Sequence, residues 1–372
     1  MSTSTQAPLP AVLRSLQALI DEGVDVLPAG ATAPTALPIG DDGTTYAMAQ
    51  EAQWLDDRHF AVGRWDGSFS VFSWSDSTTS GSLITAAASD PMSEGVQMVC
   101  AVGTRSFATS CGDAQIAVWA APDDSWRSLQ ATYYDYDASY GAANSAAVVK
   151  VPEADAWYLV VGHANGFATS WSYIPGDAPA LAYAGSVDVR ADAPVNPWDL
   201  HNVRSVQALK DNVVVTGSED GYISILDLRT HSVVSQTVYN PAAQRGINSM
   251  ALAADGALLV ANCSVGPDDS NLWYFEIDSE LHPKAVDHTN LKIDPNAPQA
   301  FNFYTTWARS STGPCWFCST QEGALWMGTA AANTIQTVGY RQATNPLGAA
   351  LSYRTGRLIL AGHDLYEFRT GG

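Results

Sequence analysis

Lysine is scarce in this chain. Four occur in 372 residues, at 150, 210, 284 and 292, and Asp plus Glu outnumber Lys plus Arg by 38 to 18, a formal net charge of −20. Nucleic-acid affinity depends on basic side chains that neutralise phosphates, and adsorption to an anionic membrane depends on basic clusters. The chain is expected to bind neither. The acidic surface has two readings, solubility in itself or a field that draws in a basic partner. Long apolar runs are also lacking: no stretch approaches the ~18 residues that span a bilayer. The segment Met1–Gln6 has neither the basic start nor the apolar core of a secretory signal. The five cysteines, Cys100, Cys111, Cys263, Cys315 and Cys318, are odd in number and sit in strand-like apolar runs, which suits a reducing compartment. These absences predict a cytoplasmic protein, with the nucleus left open.

What the chain does have is a recurring segment. It reads Val62-Gly63-Arg64-Trp65-Asp66-Gly67-Ser68-Phe69-Ser70-Val71-Phe72 at first appearance, and Thr216-Gly217-Ser218-Glu219-Asp220-Gly221-Tyr222-Ile223-Ser224-Ile225-Leu226 in its cleanest copy. Further copies centre on Asp113, Asn165 and Glu322, an altered one spans Ala257 to Phe275, and a shortened one spans Leu358 to Phe368. An apolar run, a turn of Asp-Gly or Asn-Gly character and an alternating run form a β-hairpin signal. From Asp66 to Asp113, Asn165 and Asp220 the steps are 47, 52 and 55 residues, the spacing of a repeat architecture. Another short apolar run precedes each hairpin and a fourth follows most of them.

Four strands per unit and seven units predict an all-β, seven-bladed β-propeller with four-stranded antiparallel blades. The stretch Gly217 to Asp227 resembles the WD40 family in its second strand, turn and third strand, and the resemblance runs from about Gln53 onward. The family's Trp-Asp ending survives as Leu226-Asp227, and as Trp119-Ala120 and Trp171-Ser172 elsewhere. The resemblance implies a WD40-like propeller that serves as an interaction platform. The last copy ends four residues after Phe368, so an N-terminal strand, Thr35 to Ile39 or Thr45 to Met48, is expected to close the ring. Residues 1–33 form a separate segment in which Leu13, Leu16, Leu19 and Ile20 have helical spacing over Ala11 to Glu22. Residues 34–372 form one propeller domain.

Cys315-Trp316-Phe317-Cys318 has C-x-x-C spacing, but a zinc site needs two further ligands, and residues three apart on a strand face opposite ways. Structural, metal-free cysteines are expected. His163 and His363 follow strand glycines and are expected to bond neighbouring backbone. No nucleophile elbow, zinc-protease helix, P-loop or dinucleotide fingerprint appears in context, so no cofactor is expected.

Three segments are longer than turns require: Tyr133 to Tyr140, Arg190 to Asn202 and Asp294 to Tyr304. Each joins the fourth strand of one blade to the first strand of the next, and such connections emerge on one face. Binding residues concentrate on loops held by a rigid scaffold, and Tyr, Trp and Arg carry energy at interfaces. The expected face comprises Tyr134, Asp135, Tyr136, Asp137, Trp198, Asp199, His201, Tyr304, Trp307 and Arg309. The main reading is a non-catalytic platform, monomeric on its own, that binds a protein or peptide partner. One alternative is a hydrolase or lyase at the channel mouth, with Asp135, Asp137, Asp199, His201, Trp307 and Arg309 as acids, bases and charge stabilisers. Another is a small-molecule or peptide binder that stacks ligands on Trp198, Tyr136 and Tyr304.

Overall fold

The structure, a computed structural model, describes residues 35–36 and 49–369, apart from 74–81, 89–94, 195, 243–245, 254, 263–268, 295–301, 311–312, 321–323, 332–333, 343–349, 355–356 and 363. The expected helix over Ala11 to Glu22, Cys263, His363 and most of the third connecting loop lie outside the described residues.

Six blades each take four consecutive antiparallel strands. Their inner strands are Ala49–Trp54, Val99–Gly103, Ala143–Val151, Val203–Lys210, Ile247–Leu252 and Asn302–Ser310. The structure has six such blades where seven were expected, and the set expected as the seventh differs. Ala350–Arg354, Arg357–Ala361 and Asp364–Arg369 form three consecutive strands, and the fourth strand in their sheet is only Thr35–Ala36, paired with Leu365 and Asp364.

A four-stranded sheet has two faces to bury, and each blade buries them against its neighbours. An apolar cluster fills each junction along the first six blades. Phe69, Phe107 and Trp119 sit between the first and second, Leu159, Val161 and Trp171 between the second and third, and Trp316, Cys318 and Leu259 between the fifth and sixth. The C-terminal sheet packs Ile359 and Ala361 against Trp54 and Phe60 of the first blade, and Trp54 N donates to Ser352 Oγ at 3.1 Å.

The glycines of the repeat have separate tasks. Gly67, Gly166 and Gly221 have φ of 82°, 80° and 91°, the left-handed region that glycine enters without a Cβ penalty. Gly63, Gly162 and Gly217 lie where the next blade approaches. A Cβ at Gly162 would stand 2.5 Å from Val203 Cγ1, and one at Gly217 would stand 2.7 Å from Met250 Sδ.

The inner strands share one irregularity. Register shifts at the strand start leave Gln50, Asn144, Arg204, Asn248 and Phe303 as extra residues opposite the second strand of their blades. Such a bulge bends the strand and re-aims a side chain. In the second blade the corresponding stretch lies just before the inner strand, where Ser110 Oγ accepts from both Gln97 N and Met98 N.

Candidate interaction face

The bulge residues meet at the axis. Gln50, Gln97, Asn144, Arg204, Asn248 and Phe303 line one cavity of about 150 Å3, together with Glu51, Trp65 and Tyr304. A channel of about 320 Å3 is lined by residues from the inner strands of all six blades and by Leu351, Ser352 and Tyr353, and it shares Glu51, Arg204, Asn248 and Tyr304 with the smaller cavity. Each bulge stands where the connecting loop enters its blade, so the smaller cavity is the mouth of the channel on the loop face. Trp65, in the first repeat's turn, is 54% exposed there.

The mouth is organised by Glu219. Its carboxylate accepts from Arg204 Nε at 2.7 Å and from Asn202 Nδ2 at 2.8 Å. Arg204 also reaches Gln97 Oε1, on the second blade, at 3.4 Å. The Glu51 carboxyl lies in the channel, where burial pushes its pKa up to about 8, against a smaller lowering by the Ala52 N–H. Burial first, and the Glu51 charge second, raise the Cys100 thiol to about 12.

The second connecting loop is bonded to the turn at this mouth. Asn196 is buried, with three bonds inside the loop and one to the turn at Glu219. Its Oδ1 accepts from Trp198 N at 3.1 Å and Leu200 N at 3.0 Å, and its Nδ2 donates to Leu200 O at 2.9 Å and Glu219 O at 2.6 Å. This clamp holds Asp199 at a φ of 55° and leaves Trp198 52% and Leu200 42% exposed. Trp198 therefore stands outside the blades rather than filling a gap between them.

The neighbouring His201 has Asp199 Oδ1 3.1 Å from Nε2 and Asp220 Oδ2 3.4 Å from Nδ1. Asp220 is fully buried and also accepts from Ser218 Oγ and from Ala191 N. With both ring nitrogens occupied, His201 reads as a brace between loop and turn.

Tyr134 and Asp135 lie on the strand Gln130–Asp135 rather than in the first loop; Tyr134 packs edge-on to Trp171, and Tyr136, beyond the strand, packs edge-on to His163, with ring centres 6.3 and 4.6 Å apart. Both tyrosines are partly buried. Asp135 accepts from Gln115 Nε2 at 2.6 Å. Asp137 caps Ser139 N at 2.9 Å, and that backbone bond holds its carboxyl below the usual range. His163 meets backbone as expected: Gly141 O lies 3.3 Å from Nδ1 and Thr169 Oγ1 2.8 Å from Nε2. Burial lowers its pKa to about 4, opposed by the Gly141 bond. Cys315 and Cys318 are buried free thiols.

Three further expected face residues lie on a strand. Tyr304, Trp307 and Arg309 belong to the inner strand Asn302–Ser310 rather than to a loop. The run after the prolines reads as irregular, but inner-strand pairing with Gly313–Thr320 begins at Asn302. Tyr304 lines the mouth and donates to Gln50 O. Trp307 lines the channel and donates to Ala251 O at 3.0 Å, which joins the fifth and sixth blades. Arg309 follows Tyr304 by five strand residues, ~17 Å at ~3.3 Å each, towards the end remote from the loop face. The residues that sequence reasoning missed are the ring members and Glu51, Asn196 and Glu219. Their signal is a triplet of apolar, polar and then third residue before each hairpin: Ala49-Gln50-Glu51, Ala143-Asn144-Ser145, Val203-Arg204-Ser205 and Ile247-Asn248-Ser249.

No family model and no curated protein matches the sequence. Solved structures do match the fold. The β-propeller domain of Cps50 (Swd1) from Myceliophteria thermophila superposes with a TM-score of 0.60 at 12% identity, covering 87% of this chain and 96% of that one. The WD40 β-propeller domain of Doa1 superposes with a TM-score of 0.60 at 10% identity, covering 87% and 93%. The chain is thus a WD40-like β-propeller in fold.

Proposed function

We propose that this protein is a non-catalytic interaction platform that binds a protein or peptide partner through the loop face. The observation that carries this reading is the Asn196 clamp. It presents Trp198 and Leu200 to solvent in a fixed loop beside the channel mouth. Holding large apolar side chains in place before binding reduces the ordering entropy of association, and Trp is among the residues that dominate interface energies. Tyr134, Asp135, Tyr136, Asp137, Asp199 and His201 extend the face, and Tyr304 belongs to its mouth. The net charge of −20 favours a basic partner through steering.

Chemical crosslinking in the native host, comparing wild type with a Trp198→Ala, Leu200→Ala variant, tests this reading. Partners joined to the wild type and lost from the variant support it. An identical set of partners for the two proteins overturns it.

A further inference from the structure

We propose that the mouth cavity binds a primary ammonium group, the tip of a lysine side chain on the partner. The inference rests on the platform reading and specifies the chemistry of its partner.

The fixed hydrogen bonds of the ring leave acceptors towards a ligand. The Glu219 carboxylate can only accept, so Asn202 presents its Nδ2 to it, and Asn202 Oδ1 faces Asn144 at 3.3 Å. That sets Asn144 Nδ2 as the donor and leaves its oxygen. Asn248 Nδ2 donates to the main-chain oxygen of Asn302 at 2.6 Å, which again leaves an oxygen. Gln50 is 6% exposed, and its Oε1 has no donor among the described residues. The Tyr304 hydroxyl donates its hydrogen bond to Gln50 O. An acceptor-rich cavity calls for donors.

The charge balance points the same way. Glu51 lines the cavity, and its hydrogen bond among the described residues is the one that Oε1 accepts from Ala52 N at 2.9 Å. The neighbouring cation, Arg204, is held by Glu219. A bound cation would give Glu51 the partner that it lacks. Trp65, Phe303 and Tyr304 supply aromatic lining, and aromatic faces attract cations.

Size and geometry select the kind of cation. At about 150 Å3, the cavity holds the volume of roughly five waters. That is below the ~300 Å3 at which pockets for whole small molecules begin, so the mouth itself fits a side-chain tip. Separate acceptors from several blades suit a compact ammonium with three donors.

The test is calorimetric titration of the full chain at about pH 8.5, above the value of about 8 for Glu51 and below the ~10.4 of an amine. The probes are capped Gly-Lys-Gly, its Nε-acetyl form, capped Gly-Arg-Gly and butylammonium chloride. The expected result is binding of the lysine peptide, weakened about tenfold or more by acetylation, by replacement with arginine and by Glu51→Gln. A melting curve of Glu51→Gln confirms that the variant is folded, and Asn248→Leu is a second variant expected to weaken binding. Equal binding of the acetylated peptide, unchanged affinity in Glu51→Gln, or no binding of the lysine peptide overturns the proposal. Butylammonium binding without peptide binding also overturns it, assigning the cavity to free amines. Such a failure leaves the platform reading intact, because that reading is tested on the separate Trp198 loop.

Discussion

The side-chain amide of Asn196 donates to the main-chain oxygen of Glu219 at 2.6 Å, so an exposed loop and the turn that governs the channel mouth are tied together by one residue. Asn196→Ala removes this bond and three others within the loop. Loss of a buried, fully bonded amide is expected to destabilise the fold by ~1–3 kcal/mol, read as a lower urea midpoint. Partner binding should weaken as well, because the Trp198 loop loses its fixed shape.

Trp198→Ala should separate binding from folding. The side chain is 52% exposed, and surface substitutions away from caps and networks usually lie within ~0.5 kcal/mol. Thermal melting should therefore match wild type. Partner affinity, measured once a partner is known, should fall about tenfold, a loss of ~1.4 kcal/mol.

Two buried groups should shape the stability profile with opposite signs. The folded-state pKa of Glu51 is raised from 4.5 to about 8. The folded state therefore holds a proton that the unfolded state releases, and the associated stability is full below 4.5 and lost as pH rises to about 8. The folded-state pKa of His163 is lowered from 6.5 to about 4. The unfolded state binds the proton first, and stability is lost as pH falls from 6.5 towards 4. Melting temperatures against pH should show Glu51→Gln losing less stability than wild type between 4.5 and 8. His163→Gln should lose less between 6.5 and 4. Parallel curves for variants and wild type would contradict both assignments.

The pairing of Thr35–Ala36 with Leu365 and Asp364 bears on closure of the ring. If that strand closes it, removal of residues 1–48 exposes the edge of the C-terminal sheet, and unpaired edges template aggregation. The truncated protein should melt at a lower temperature and form larger species in light scattering. A monomer with unchanged melting would show that the ring needs no N-terminal strand.

The blades were legible in the sequence because their signals are local. The Asp-Gly turns demand a left-handed glycine, and the alternating runs around Gly217 to Leu226 can bury both faces only between neighbours. The mouth was not legible, because the bulges at Asn144, Arg204 and Asn248 break the two-residue alternation on which strand reading depends. Arg204 reads as a surface charge on a strand until the register places it at the axis. Tyr304, Trp307 and Arg309 were misplaced for a related reason: aromatic and polar residues next to prolines look like a loop, although Trp307 bonds to Ala251 O. In the second loop the prolines and the aromatic at Trp198 are visible in the sequence, while Asn196, which fixes the loop, gives no signal beyond being an asparagine.

The extra residue in five of the six inner strands separates two kinds of constraint. Gln50, Asn144, Arg204 and Asn248 do not belong to the apolar clusters between blades, and as bulges they fall outside the regular pairing ladder. Side chains at these positions can be exchanged without repacking a hydrophobic junction. The lumen entrance is therefore modular. Each blade contributes one interchangeable tooth to a common keyhole, and the lock can be recut while the ring that carries it stays the same.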